Sequence, residues 1–205
     1  PQVRLEMNGD QDTAQAIMDE AAAHGIPVTS TASPGEVAEM DHGLMVPLYF
    51  LTSELTRPCR LVSLSFSYLS LEEHVRFGRA VGAALMASPV RTVYVASSDL
   101  SHRLCQGAPA GYDPRGAEFD QAVADAFAGD DWEALLSIEP HLVEAAGECG
   151  YRSLAVLSGV LDTVRATGVQ TENRLLSYEG PFGVGYLVGE VELSAADANT
   201  EEELA

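Results

Sequence analysis

Apolar residues recur along this chain with two different periods, and the change from one to the other lays out its elements. Over 12–25, "DTAQAIMDEAAAHG", Ala and Ile return at helical spacing behind Asp12, a capping acceptor for free amides, and Gly25 with Pro27 ends the run. "IPVTSTA" then has β-type composition, and "RLVSLSFS" (60–67) alternates apolar with small polar residues as a strand does. "LEEHVRFGRAVGAALMAS" (71–88) is an amphipathic helix stopped before Pro89, and "RTVYVASSD" (91–99) is a β-rich run that opens into polar residues. Strand, helix and strand in that order predict an α/β fold, a central mixed sheet flanked by helices.

Residues 114–166 read as a helical section that starts at Pro114 and continues through "GAEFDQAVADAFA", "DWEALLSI" and "YRSLAVLSGVLDTVRATG". The pattern returns to strands in "NRLLSYE" and "VGYLVGEVEL". One domain is expected over 1–194, followed by a small acidic tail over 195–205 whose composition predicts disorder. The start, "PQVRLEMNGD", has no signal-peptide layout and reads like the middle of something longer.

Charge changes the picture of partners. The 205 residues hold 31 acids and 11 basic residues, all arginine, for a formal charge of -20. Such a surface repels phosphate backbones and anionic lipid, which argues against nucleic acid and membrane and toward a small substrate or another protein. Cys59, Cys105 and Cys149 are far apart in sequence and odd in number, so neither a disulfide framework nor a thiolate zinc motif is indicated, and a reducing cytoplasm is expected. No run reaches the roughly 18 apolar residues of a membrane span.

Candidate chemistry gathers at element ends. "SSDLSHRL" (97–104) puts Asp99, Ser101 and His102 just past the carboxyl end of a predicted strand, where an α/β sheet displays its site. "MDHGLMVPL" (40–48) puts His42 between an acid and a glycine, ahead of a helix expected to start at Pro47. Two imidazoles at two loop ends suit an acid/base site, because imidazole as a side-chain type can take and return a proton near neutral pH without special tuning. Each also has a plainer reading: His102 as a cap or a partner of a backbone carbonyl, and His42 as a turn histidine. His24 reads as a favourable last-turn cation, His74 as a solvated first-turn residue and His141 as structural.

"DHGLMVPL", "SSDLSH", "AGECGYRSLAVLSGVL" and "LLSYEGPFGVGYLVGEV" occur in the order, and at about the spacing, found in the class III extradiol ring-cleavage dioxygenases. Over roughly residues 10–192 the chain resembles this LigB-type superfamily, which includes Memo-like proteins. The resemblance implies an Fe(II)-dependent extradiol dioxygenase that opens a catechol-type diol with O2. It makes His42 and His102 the acid/base groups, with Asp41 orienting His42, and makes Glu179 in "SYEGP" an iron ligand, with Glu172 the competing acid. It also sets Asp41, Ser101, Glu148 and Cys149 around the substrate. Glu148 and Cys149 read equally well as a capping and packing pair at a helix start.

The sequence departs from the family pattern twice. Arg103 and Leu104 follow His102 where ring-cleavers usually carry Pro two residues on, and the family's two iron-binding histidines come from an amino-terminal segment with no counterpart here. Either the amino-terminal portion of the family domain lies upstream of Pro1, or iron is lost and the protein is a Memo-like binding module. The partners expected are an aromatic diol and O2, with a second copy of the chain or a companion amino-terminal segment.

Overall fold

The computed structural model describes residues 5–30 and 39–195. All but the first residue of the expected acidic tail, and the end of "IPVTSTA", lie outside the described residues. In chain order the elements are β1 (Asn8–Gly9), α1 (Gln11–Ala23), α2 (His42–Ser53), β2 (Arg60–Leu61), α3 (Leu71–Ala87), α4 (Arg115–Ala128), α5 (Trp132–Leu136), α6 (Pro140–Ala146), α7 (Tyr151–Ala166), β3 (Gln170–Glu179) and β4 (Tyr186–Ser194). The α/β class holds.

Two helix starts differ from the sequence expectation in instructive ways. Asp10, not Asp12, caps α1, its Oδ1 accepting the amide of Thr13 at 3.3 Å. Helix α2 begins at His42 instead of Pro47, because Asp41 accepts the Leu44 amide at 3.0 Å and starts the helix five residues before the proline. Pro47 therefore lies inside α2, where it has no N–H to give to the carbonyl of Gly43.

The sheet is smaller than the pattern promised. Among the described residues there are two two-stranded ladders, β1 parallel to β2 and β3 antiparallel to β4. Of the strand expected over 60–67 only Arg60 and Leu61 pair, and 91–99 pairs with nothing described. Period two survives there without a ladder: Tyr94 packs with Val62 and Leu64 against Ile17, Val81, Val160 and Val164, while Val93 on one side of it is 81% exposed. The hydrophobic pattern reported which residues turn inward; ladder formation additionally needs a neighbouring strand.

Among the described residues, three apolar clusters hold the chain together, the smallest of them Ala21, Ile26 and Ala80 between α1 and α3. Another lies between α1, α3 and α7, and the largest is built on Leu100, Phe119, Val123, Phe127, Trp132, Leu135, Tyr151 and Leu161. Leu100 anchors the end of the 91–100 segment in this largest core, so the residues that follow it emerge from a fixed point. His74 corrects another expectation. It is only 3% exposed, its Nδ1 donating to the Ser70 carbonyl at 2.7 Å and its Nε2 accepting the Ser67 amide at 3.2 Å, because residues 67–70 fold over the first turn of α3.

Candidate functional site

The segment after Leu100 is held by backbone bonds from three directions. Leu100 donates to the Gly185 carbonyl at 2.9 Å, Gly185 returns its amide to Ser101 at 2.8 Å, and His102 donates to the Ala146 carbonyl at 3.1 Å. His102 is thus set between the start of β4 and the end of α6. Its Nε2 lies 3.5 Å from Asp99 Oδ2 and 3.6 Å from Cys149 Sγ. Asp99, His102 and Cys149 each present a donor atom within 4.8 Å of the others.

The charges in this cluster fix its state. Burial pushes the Cys149 thiol above its ordinary range, and the Asp99 carboxylate pushes it further. The hydroxyl of Tyr186 is raised too, by burial and then by Asp99 and Cys149, which puts the first residue of β4 beside the cluster. Asp99 and Cys149 approach the same ring nitrogen of His102, whereas a nucleophile–histidine–acid relay uses both nitrogens and needs a lowered thiol pKa. The arrangement is unsuited to covalent thiol catalysis and suited to holding or passing a proton at Nε2.

Helix α2, which begins at His42, is tied to this segment by a different route. Ser97, two residues before Asp99, donates its hydroxyl to the Gly43 carbonyl at 2.6 Å and so ties the first turn of α2 to the 97–102 segment. Asp41 spends its Oδ1 on the α2 cap and fixes the backbone at His42. Glu148 accepts the Tyr151 amide at 2.6 Å and caps α7, placing Cys149 in the turn that enters that helix. Ser101 is fully buried, with its hydroxyl donating to the Ala146 carbonyl at 3.0 Å. Glu179 ends β3 opposite Tyr186, exposed, and Glu172 lies opposite Glu192; neither belongs to the donor cluster.

The structure therefore brings His102 and Cys149 together and adds Asp99, whose position was legible but whose part was not. Sequence reasoning missed two further groups. Asp120 is 1% exposed; its Oδ1 accepts the Ser101 amide at 2.7 Å and its Oδ2 accepts the Tyr178 hydroxyl at 2.6 Å. Burial raises its carboxyl pKa, while the Tyr178 and Ser101 donors oppose that rise. The available signal was an acid at helical spacing from Val123 and Phe127, on the apolar stripe of α4.

A family model described as the catalytic LigB subunit of aromatic ring-opening dioxygenase matches residues 1–189. Protein CA_C1420 of Clostridium acetobutylicum is 35% identical over 211 residues, covering 100% of this chain and 43% of that protein's own length. The chain belongs to the LigB family of aromatic ring-opening dioxygenases. It spans less than half of the curated relative it matches.

The metal of such enzymes can be tested against the donors present. A facial Fe(II) site takes two imidazoles and a carboxylate. The cluster here offers one imidazole, one carboxylate and one thiol, with Glu179 outside it and no second histidine within it among the described residues. These donors do not by themselves fit that site. No helix among the described residues is long and apolar enough to cross a membrane.

Proposed function

We propose that this chain carries the proton-handling side of an aromatic ring-opening site, in an extradiol dioxygenase that takes a catechol-type diol and O2 and uses Fe(II) in the whole protein. The observation that carries this reading is His102, fixed by its own amide and presenting Nε2 to Asp99 and Cys149 in a LigB-family chain. A catechol must lose protons to act as an electron-rich chelate, and ring opening must later return one. His102 receives a diol proton at Nε2, with the Asp99 carboxylate 3.5 Å away to stabilise the imidazolium. The Cys149 thiol lies 3.6 Å from the same nitrogen and is kept in its neutral form. His42 is the second acid/base group, a reading supported by the Ser97 hydroxyl that ties the neighbouring Gly43 carbonyl to the 97–102 segment.

One observation favours a second reading. The cluster holds a thiol where a second imidazole would be needed, as expected of a Memo-like module that keeps the pocket for binding and has no iron. The two readings separate in one experiment on the full-length protein: Fe(II) titration with O2 uptake on simple catechols, alongside calorimetric catechol binding. Stoichiometric iron with catechol-dependent O2 consumption supports the dioxygenase. Catechol binding with no iron and no O2 uptake overturns it in favour of the binding module.

A further inference from the structure

The mechanism above uses His102 but leaves unexplained why a carboxylate is buried behind it. Asp120 sits on the apolar face of α4, 1% exposed, and no ion pair among the described residues includes it. Burying an anion without a cation is costly, so the position demands a return that apolar packing does not supply. The return is visible in what its two oxygens hold. Oδ1 takes the amide of Ser101, the residue immediately before His102, and Oδ2 takes the Tyr178 hydroxyl from β3.

We infer that Asp120 is the positioning residue for His102: its carboxylate clamps the Ser101 peptide and thereby fixes where the imidazole stands relative to Asp99 and Cys149. The clamp extends on both sides. The Ser101 hydroxyl donates to the Ala146 carbonyl and accepts the Arg103 amide at 3.0 Å, so the peptides before and after His102 are both restrained. His102 donates to that same Ala146 carbonyl, three residues before Cys149, which puts both partners of the 3.6 Å contact on one frame. Space for the clamp is made by Gly185, where a Cβ would fall 1.9 Å from Asp120 Oδ2. Tyr178 selects which oxygen faces Ser101, because its hydroxyl occupies the other. Asp120 holds the segment through the Ser101 amide and lies outside the donor cluster, and its charge also interacts with the His102 imidazole.

This inference rests on reading His102 as the proton-carrying group, and the test separates the two. Asp120→Asn keeps an acceptor for the Ser101 amide, Asp120→Ala removes it, and Tyr178→Phe frees Oδ2. Three readouts are taken on the full-length protein: hydrogen exchange of the 98–104 segment, diethylpyrocarbonate modification of His102 followed by mass spectrometry, and turnover on a catechol. Asp120→Ala is expected to speed exchange in the segment and change the His102 modification rate by roughly tenfold each, as local opening does. It should lower kcat by about tenfold or more with KM little changed, since misplacing a catalytic group costs rate more than binding. Asp120→Asn should restore all three most of the way, and Tyr178→Phe should fall between. Should Asp120→Ala not fold, Asp120→Asn against Tyr178→Phe carries the same comparison. Unchanged exchange and labelling in Asp120→Ala and Tyr178→Phe overturn the clamp, as does an Asp120→Asn variant no better than Asp120→Ala. Absence of turnover in the wild-type full-length protein, with the exchange and labelling pattern intact, sinks the dioxygenase reading and leaves the clamp standing.

Discussion

Ser97 donates its hydroxyl to the carbonyl of Gly43, the one acceptor in the first turn of α2 that Pro47 leaves without a helical partner. A carbonyl four residues ahead of a proline receives no i to i−4 bond, and here a side chain from another segment supplies one at 2.6 Å. The proline inside α2 thus creates the socket by which the His42 helix attaches to the His102 segment.

Ser97→Ala should therefore loosen α2 more than the protein as a whole. The contact is exposed, so water replaces it and the global cost should be about 1 kcal/mol or less. Hydrogen exchange across 42–53 should rise while the melting temperature stays nearly constant. Pro47→Ala supplies the missing N–H, and in that background the Ser97 substitution should have a smaller effect, a non-additivity that a double-mutant cycle measures. Additive effects would mean that the socket is unrelated to the proline.

Gly159→Ala tests the packing of α3 against α7. A Cβ at Gly159 would lie 2.1 Å from the Val75 carbonyl and 2.9 Å from the Gly78 Cα, both backbone atoms that cannot move aside alone. Overpacking of this kind costs about 1–3 kcal/mol and occasionally more, and the upper end is expected because two helices must separate. Urea denaturation should give a lowered midpoint with an unchanged slope.

How far the sequence could be read follows from which interactions are local. Helices α1, α3, α4 and α7 and the β3–β4 hairpin were legible, because periodicity and turn residues lie within the segments themselves. The start of α2 was not, since the pull of Pro47 as a first-turn residue concealed the stronger cap at Asp41. His74 looked solvated beside Glu72 and Glu73, and only the fold of residues 67–70 buries it. At the site, His102 and Cys149 were named but not joined: 47 residues separate them, and their contact exists because Ala146 and Ser101 are bonded first. Asp120 was invisible as a functional group because its two partners lie 19 and 58 residues away.

The raised Cys149 thiol gives a pH-dependent outcome. Burial and the Asp99 charge favour the protonated form in the fold, so this group's stabilising contribution is present below the unfolded thiol pKa and is lost as pH rises through the folded one. Iodoacetamide at pH 8 should modify Cys149 more slowly in the native chain than in urea, and Asp99→Asn should recover part of the difference. Equal rates before and after unfolding would contradict the raised thiol pKa.

His102→Gln and His42→Gln examine the proposed chemistry directly. If each imidazole acts as an acid or base, turnover on a cleavable catechol should fall by on the order of a hundredfold, the lower range for such a group, with the protein still folded by circular dichroism and its iron content barely changed. Wild-type turnover in both variants would remove the assigned roles.

The two histidines are mounted on supports of very different stiffness. His102 follows a buried serine and is bonded through its own amide, whereas α2, which begins at His42, has no buried residue along its whole length. Few buried contacts give low local stability, so the two sides of the site behave as a fixed jaw and a hinged one. In the proposed site, His42 would then move with α2 about the Ser97–Gly43 contact, while His102 is held in place through its own amide.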